Sequence, residues 1–171
     1  MSLYAQTVPQ HIKMLQNLDR WLEAAVAYAE TRKFDADTLL LARLAPDQYP
    51  LGRQVQMICD NAKFCAARLT GTTAPSHPDT ETTIPALRAR IAAVIAYLET
   101  VNEAAFEGAS ARRIELNFAP GMDISGEDYL RDMASPNLYF HLTLAYSILR
   151  HNGVPLGKRD FLGSIALAPK A

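Results

Sequence analysis

His141 stands in the segment NLYFHLTLAYSILRHNG (137–153), among leucines and aromatics that read as a largely buried helix. An imidazole in that setting can ligate a metal, move a proton near neutral pH, or serve as a hydrogen-bonded core group. Asn137 lies four residues earlier, so on a helix both side chains point at one spot. Asn137, His141, Leu144, Ile148 and His151 share a narrow strip, while Tyr139, Leu142 and Tyr146 lie opposite. A buried imidazole or carboxamide without a partner costs a few kcal/mol, so another helix must supply polar groups. The segment 51–70 offers them. Gln56, Asp60 and Lys63 cluster at one edge of its apolar stripe, and Gln54 and Asn61 lie near the other.

Two readings of this constellation compete. In the functional one, His141 is a general acid or base oriented by Asp60, and Arg53 or Lys63 holds an anionic substrate group. Asn137, Gln56 and Tyr139 then complete the ligand-binding surface, with Tyr129, Phe140 and Tyr146 as further aromatic lining. In the other, His141 is a satisfied core histidine and Asp60–Lys63 a solvated i, i+3 pair. His11 sits beside the stripe of the first helix, His151 complements a helix C-terminus, and His77 in a polar loop shows no evident role.

These groups must be positioned by helices, because hydrophobic periodicity points to helix nearly throughout. A first helix ends near Arg32 and Lys33, with Pro9 expected in its first turn. A linker follows in which Asp37 caps one short turn. The second helix spans Leu51 to Thr70 and stops at Gly71. The third begins with Thr83 as N-cap and Pro85 in its first turn. RRIELNF alternates in the manner of a strand and, with APGMDIS, suggests a short β-hairpin or extended loop. SGED (125–128) has the form of a capping box opening the fourth helix. Pro136 must kink or restart that helix, with Ser135 as a new N-cap, and Asn152-Gly153 ends it. The tail 154–171 reads as irregular. The sum is an all-α four-helix bundle forming one domain over 1–171.

Composition excludes several classes. Seventeen basic against eighteen acidic residues give a net charge of −1, too little positive field to hold nucleic acid or an anionic membrane. No apolar run approaches the roughly 18 residues that span a bilayer, and the N-terminus lacks a signal-peptide pattern, so a cytoplasmic location is expected. Cys59 and Cys65, six apart on one helix and about 9 Å distant along its axis, cannot pair and read as small core fillers.

The segments FHLTLAYSILRHNGVPLGKRDFLG and PLGRQVQMICDNAKFCAARLTG, with the capped helices around them, resemble an uncharacterised branch of the DinB-like (also YfiT-like) superfamily of metal-dependent bundle proteins. The resemblance covers essentially the whole chain. It implies a bacterial four-helix bundle, a homodimer, and a zinc or nickel ion held by three histidines. Two of those come from an H-x-x-x-H pair on the last long helix. Aligning ILR and Gly153 with the end of that motif places the pair at Asn137 and His141, and the third position near Gln56 or Met57. One histidine of three is present, and carboxamides are weak ligands for such metals. The resemblance therefore implies a degenerate site of His141, Asn137 and Gln56, favoured as a pocket for an unknown small molecule. Its alternatives are a metal-dependent transferase or hydrolase, and a structural or stress-associated dimer without catalysis.

Overall fold

A computed structural model describes residues 2–116 and 118–167. Its long helices are α1 (Leu3–Arg32), α2 (Leu51–Thr70), α3 (Ile84–Glu99) and α5 (Ser135–His151). Ser2 Oγ caps α1 by accepting from Ala5 N at 3.2 Å. The helix therefore starts early, and Pro9 lies inside it rather than in its first turn. The linker forms a 3-10 turn at Ala36–Leu41, capped by Asp35 instead of Asp37. The Asp37 carboxylate reaches across the molecule to accept from Ile84 N at 2.7 Å, tying the linker to the start of α3.

α2 keeps the expected bounds. Gly71 closes it in the left-handed region at φ 73°, where a side chain would be strained and would strike the Arg112 guanidinium. Thr83 Oγ1 accepts from Ala86 N, and Pro85 occupies the first turn of α3. The hairpin is real and short: β1 (Arg113–Glu115) pairs antiparallel with β2 (Asp123–Ser125), Ile114 opposite Ile124. Phe118, the last apolar residue of the alternating RRIELNF run, lies beyond β1 and is exposed; Asn117 lies outside the described residues.

Ser125 then caps α4 (Gly126–Asp128), accepting from Asp128 N at 3.1 Å. The expected restart at Ser135 does not occur. Ser135 has helical dihedrals and no capping bond, and the chain runs through a π-helical turn, Tyr129–Ala134, straight into α5. Pro136 has no N–H to donate, and its ring collides with a carbonyl four residues back in a regular helix. The widened turn relieves both problems.

The core is built from one face of each long helix, including Leu15, Leu18, Trp21 and Leu22 of α1 and Val55, Ile58 and Leu69 of α2. Leu87, Ile91 and Val94 of α3 meet Leu142 and Ile148 of α5 there. Cys59 and Cys65 are free and buried among them, and burial pushes both thiols up to about 12. Part of the tail departs from the irregular structure expected. α6 (Lys158–Leu162) docks on α1: Trp21 Nε1 donates to the Asp160 carbonyl at 3.0 Å, and the Phe161 ring stacks on the indole.

Candidate functional site

α2 presents polar side chains on two edges, and the structure sends them to different neighbours. The edge facing α5 carries Gln54 and Asn61. His141 Nδ1 donates to Gln54 Oε1 at 2.7 Å, and Gln54 Nε2 donates to the Tyr49 carbonyl at 3.0 Å. Because a carbonyl only accepts, the amide nitrogen of Gln54 must face Tyr49 and its oxygen must face the ring. The neutral imidazole thus carries its proton on Nδ1 and keeps the lone pair on Nε2. One turn along, Asn137 Nδ2 donates to Asn61 Oδ1 at 2.6 Å, and Asn61 Nδ2 to the Met57 carbonyl. His141 is 5% exposed and Phe140 packs edge-on against it. Burial first, and the nearby Arg53 charge second, hold its pKa below the ordinary histidine value.

The other edge of α2 carries Gln56, Asp60 and Lys63, expected beside His141. They face α3 and the segment 72–83 instead. Asp60 accepts from Arg90 Nη2 at 2.7 Å and from Lys63 Nζ at 2.9 Å. Lys63 Nζ also lies 3.0 Å from His77 Nδ1. Gln56 accepts from Arg53 Nη1 and donates to Glu81 at 2.9 Å. Arg90, buried on α3, further binds Asp79, Glu81 and the Pro78 carbonyl, while Arg53 pairs with Asp79. Among the described residues, no hydrogen bond joins Asp60, Gln56 or Lys63 to His141. Tyr139 takes a third course, its hydroxyl accepting from Gln10 Nε2 of α1.

Two of the expected ligand-binding residues do line a cavity. Arg53 and Gln56, with Asp37, Gly52, Glu81 and Thr82, form the polar side of a hollow of about 400 Å³, whose apolar side is Leu40, Leu41 and Pro50. Its size lies within the range of small-molecule sites. Among the described residues, Arg53 Nε and Nη2 make no hydrogen bond, so this guanidinium retains free donors. His141 is not part of that lining.

The metal implied by the sequence resemblance does not fit these side chains. His141 keeps a lone pair on Nε2 and could supply one ligand, but Asn137 is engaged by Asn61, and both ends of the Gln56 amide are taken by Arg53 and Glu81. Among the described residues, no three His, Cys, Asp or Glu side chains converge.

A signal for the ionic network was present in the sequence. Arg90 falls three residues after Leu87 and four before Val94, on the apolar stripe of its helix. A cation there demands buried anions, and the HPDTE run just upstream supplies them. The His141 partners were visible too, as the opposite edge of α2, but amides advertise a site less than charges do.

Comparison with known proteins places the chain. A family model described as a domain of unknown function (DUF1993) matches residues 3–162. The chain belongs to this family. A crystal structure of a DinB family member protein from Shewanella denitrificans is 50% identical to it. That match covers 98% of this chain and 96% of the other, with a TM-score of 0.94. No curated protein matches. This DUF1993 protein thus belongs to an uncharacterised DinB-like branch, the one its sequence resembles, and is mostly helical with one small hairpin.

Proposed function

We propose that this DUF1993 protein binds a small amphipathic molecule in the hollow beside the start of α2, without a metal ion. The observation that carries the reading is the cavity itself, apolar on one side and hydrogen-bonding on the other. Of its charged lining, Glu81 is paired with Arg90 and Arg53 with Asp79, so among the described residues the carboxylate of Asp37 is the charge that no cation balances. That balance favours a ligand bearing an amine over one bearing a carboxylate. The hydrocarbon part of the ligand would lie on Leu40, Leu41 and Pro50. His141 lies outside this lining as a packed, hydrogen-bonded group, which is what a catalytic base reaching solvent would not be.

Hexylamine and hexanoate, matched in chain length, test this by their effect on backbone amide NMR shifts. Hexylamine is expected to move the signals of Gly52, Arg53 and Thr82 in a saturable way, and hexanoate much less. Leu41 is 74% exposed, so Leu41→Ser leaves the fold intact and should weaken that binding. No saturable shift with either probe would sink the reading; a preference for hexanoate would overturn the charge assignment.

A second reading has one observation behind it: the Nδ1–H of His141 is pinned, leaving Nε2 as an acceptor. That is the tautomer a general base would use. It would require a substrate to reach a ring that is 5% exposed.

A further inference from the structure

We propose that residues 72–83 form a pH-released strap, in which protonation of His77 detaches the segment that supplies Glu81 and Thr82 to the cavity wall. The proposal adds a gate to the ligand reading above and stands without it.

The strap is held in an unusual way. Among the described residues, no backbone-to-backbone hydrogen bond fixes residues 73–82; such bonds stop at Thr72 and resume at Thr83. Its anchors are side chains: His77 to Lys63, Asp79 to Arg53 and Arg90, Glu81 to Arg90 and Gln56, with Arg90 also reaching the Pro78 carbonyl. A segment fixed only at such points is where local opening costs least.

His77 is the anchor whose charge changes near neutral pH. Lys63 Nζ is a donor with no lone pair, so at 3.0 Å the His77 Nδ1 must accept. That requires a neutral ring with its proton on Nε2. A second proton puts an N–H on Nδ1, facing an ammonium whose side chain is 2% exposed and cannot swing away into water. Flipping the ring gives no relief, because both nitrogens of an imidazolium are donors.

The charged groups around His77 reinforce this. α2 contributes Lys63 and Asp60, α3 contributes Arg90, and the strap itself contributes Glu81 and Asp79; Arg53 of α2 closes the network. Three cations, Arg53, Lys63 and Arg90, balance three carboxylates, Asp60, Asp79 and Glu81, only while His77 is neutral.

The sign follows. Burial first, then Lys63 and Arg90, hold the His77 pKa below its ordinary 6.5. The closed strap thus binds the proton less well than the open one, so closure is fully favoured above about pH 6.5 and weakens as pH falls below it. Burial works to raise the carboxyls of Asp79 and Glu81. Hydrogen bonds, to Asp79 chiefly from Arg53 and to Glu81 first from its own backbone amide and then from Arg90, more than offset it and leave both below the ordinary carboxylate value. Those two anchors stay charged through the range in which His77 titrates.

The test is limited proteolysis with a glutamate-specific protease. Cleavage after Glu81 is measured at about pH 7.5 and about pH 5.5, each rate divided by that of a free peptide spanning 72–88 at the same pH. Cleavage after Glu99, at the end of α3, reports general loosening. Wild type should show a rise at Glu81 of up to about tenfold, the limit for one proton taken up one unit below pH 6.5, with Glu99 unchanged. His77→Asn keeps an oxygen acceptor for Lys63 and cannot take a proton, so its Glu81 rate should be flat with pH. Equal wild-type rates at both pH values would overturn the strap. So would a parallel rise at Glu99, or a His77→Asn protein as pH-dependent as wild type. Ligand-probe binding is not read in this experiment, so its failure and that of the cavity reading are distinguishable.

Discussion

His141 holds its proton on Nδ1 because Gln54 offers it an oxygen, and Gln54 does so because the Tyr49 carbonyl claims its amide nitrogen. The ring is therefore tuned by a neutral partner, with burial and Arg53 both lowering its pKa. Gln54→Glu places a carboxylate against the ring and reverses that balance. The His141 pKa should rise from below its ordinary 6.5 to above it, read from NMR titration of the imidazole Cε1 proton. A pKa still below 6.5 would mean that the ring is not held by residue 54. At this scale the sequence was half legible. Helical spacing put Asn137 and His141 together and sorted the polar residues of α2 onto two edges, but spacing along one helix says nothing of which edge faces which neighbour. The charged edge, Gln56, Asp60 and Lys63, went to Arg90 and the strap because buried cations need anions more than a neutral imidazole does. The amide edge, Gln54 and Asn61, was left to satisfy α5.

The elements were more legible than the contacts, since caps are local chemistry. Thr83, Ser125 and Gly71 act where their types and neighbours indicate. Two elements escaped because their cause is not local. The π turn exists because α5 must continue through Pro136 to keep its packing on α2, and α6 exists because Trp21 and Asn17 of α1 hold its backbone carbonyls. Each supports a prediction. At the hairpin exit, a Cβ on Gly126 would lie 1.9 Å from the Ala109 carbonyl oxygen, whereas one on Gly108 would meet nothing within 4 Å. Gly126→Ala should thus cost about 3 kcal/mol or more in urea unfolding. Gly108→Ala, strained only by its positive φ, should cost about 1 kcal/mol. Equal costs would show that the junction yields more easily than its backbone packing implies. For α6, Phe161→Ala removes the ring stacked on Trp21, the chain's single tryptophan. Its fluorescence should shift to the red as α6 loosens, while far-UV circular dichroism stays nearly constant. An unshifted spectrum would show α6 held by its two carbonyl bonds alone.

For the molecule as a whole, three imidazoles lean the same way. His11, His77 and His141 all have pKa values below the ordinary 6.5, with burial as the leading cause in each. His11 is the extreme, lowered to about 4 between α1 and α2, where a backbone hydrogen bond at Ala62 only partly offsets burial and Nδ1 has no partner. An unfolded chain protonates these rings near pH 6.5 and the folded one resists, so the unfolded state binds more protons in between and stability falls as pH drops. For His11 alone, the interval from 6.5 to about 4 corresponds to roughly 3 kcal/mol. That is a large share of the 5–15 kcal/mol typical of a domain. His11→Leu removes the titration without adding a buried polar atom. Urea unfolding at a series of pH values between 7 and 4 should then give a curve for the variant that loses about 3 kcal/mol less than wild type over the range, whatever its stability at neutral pH. Parallel curves would move the acid sensitivity away from the α1–α2 contact. Because His77 is half-buried on the strap whereas His141 and His11 are buried within the bundle, mild acid should act first on the strap. The core should follow only as pH approaches 4.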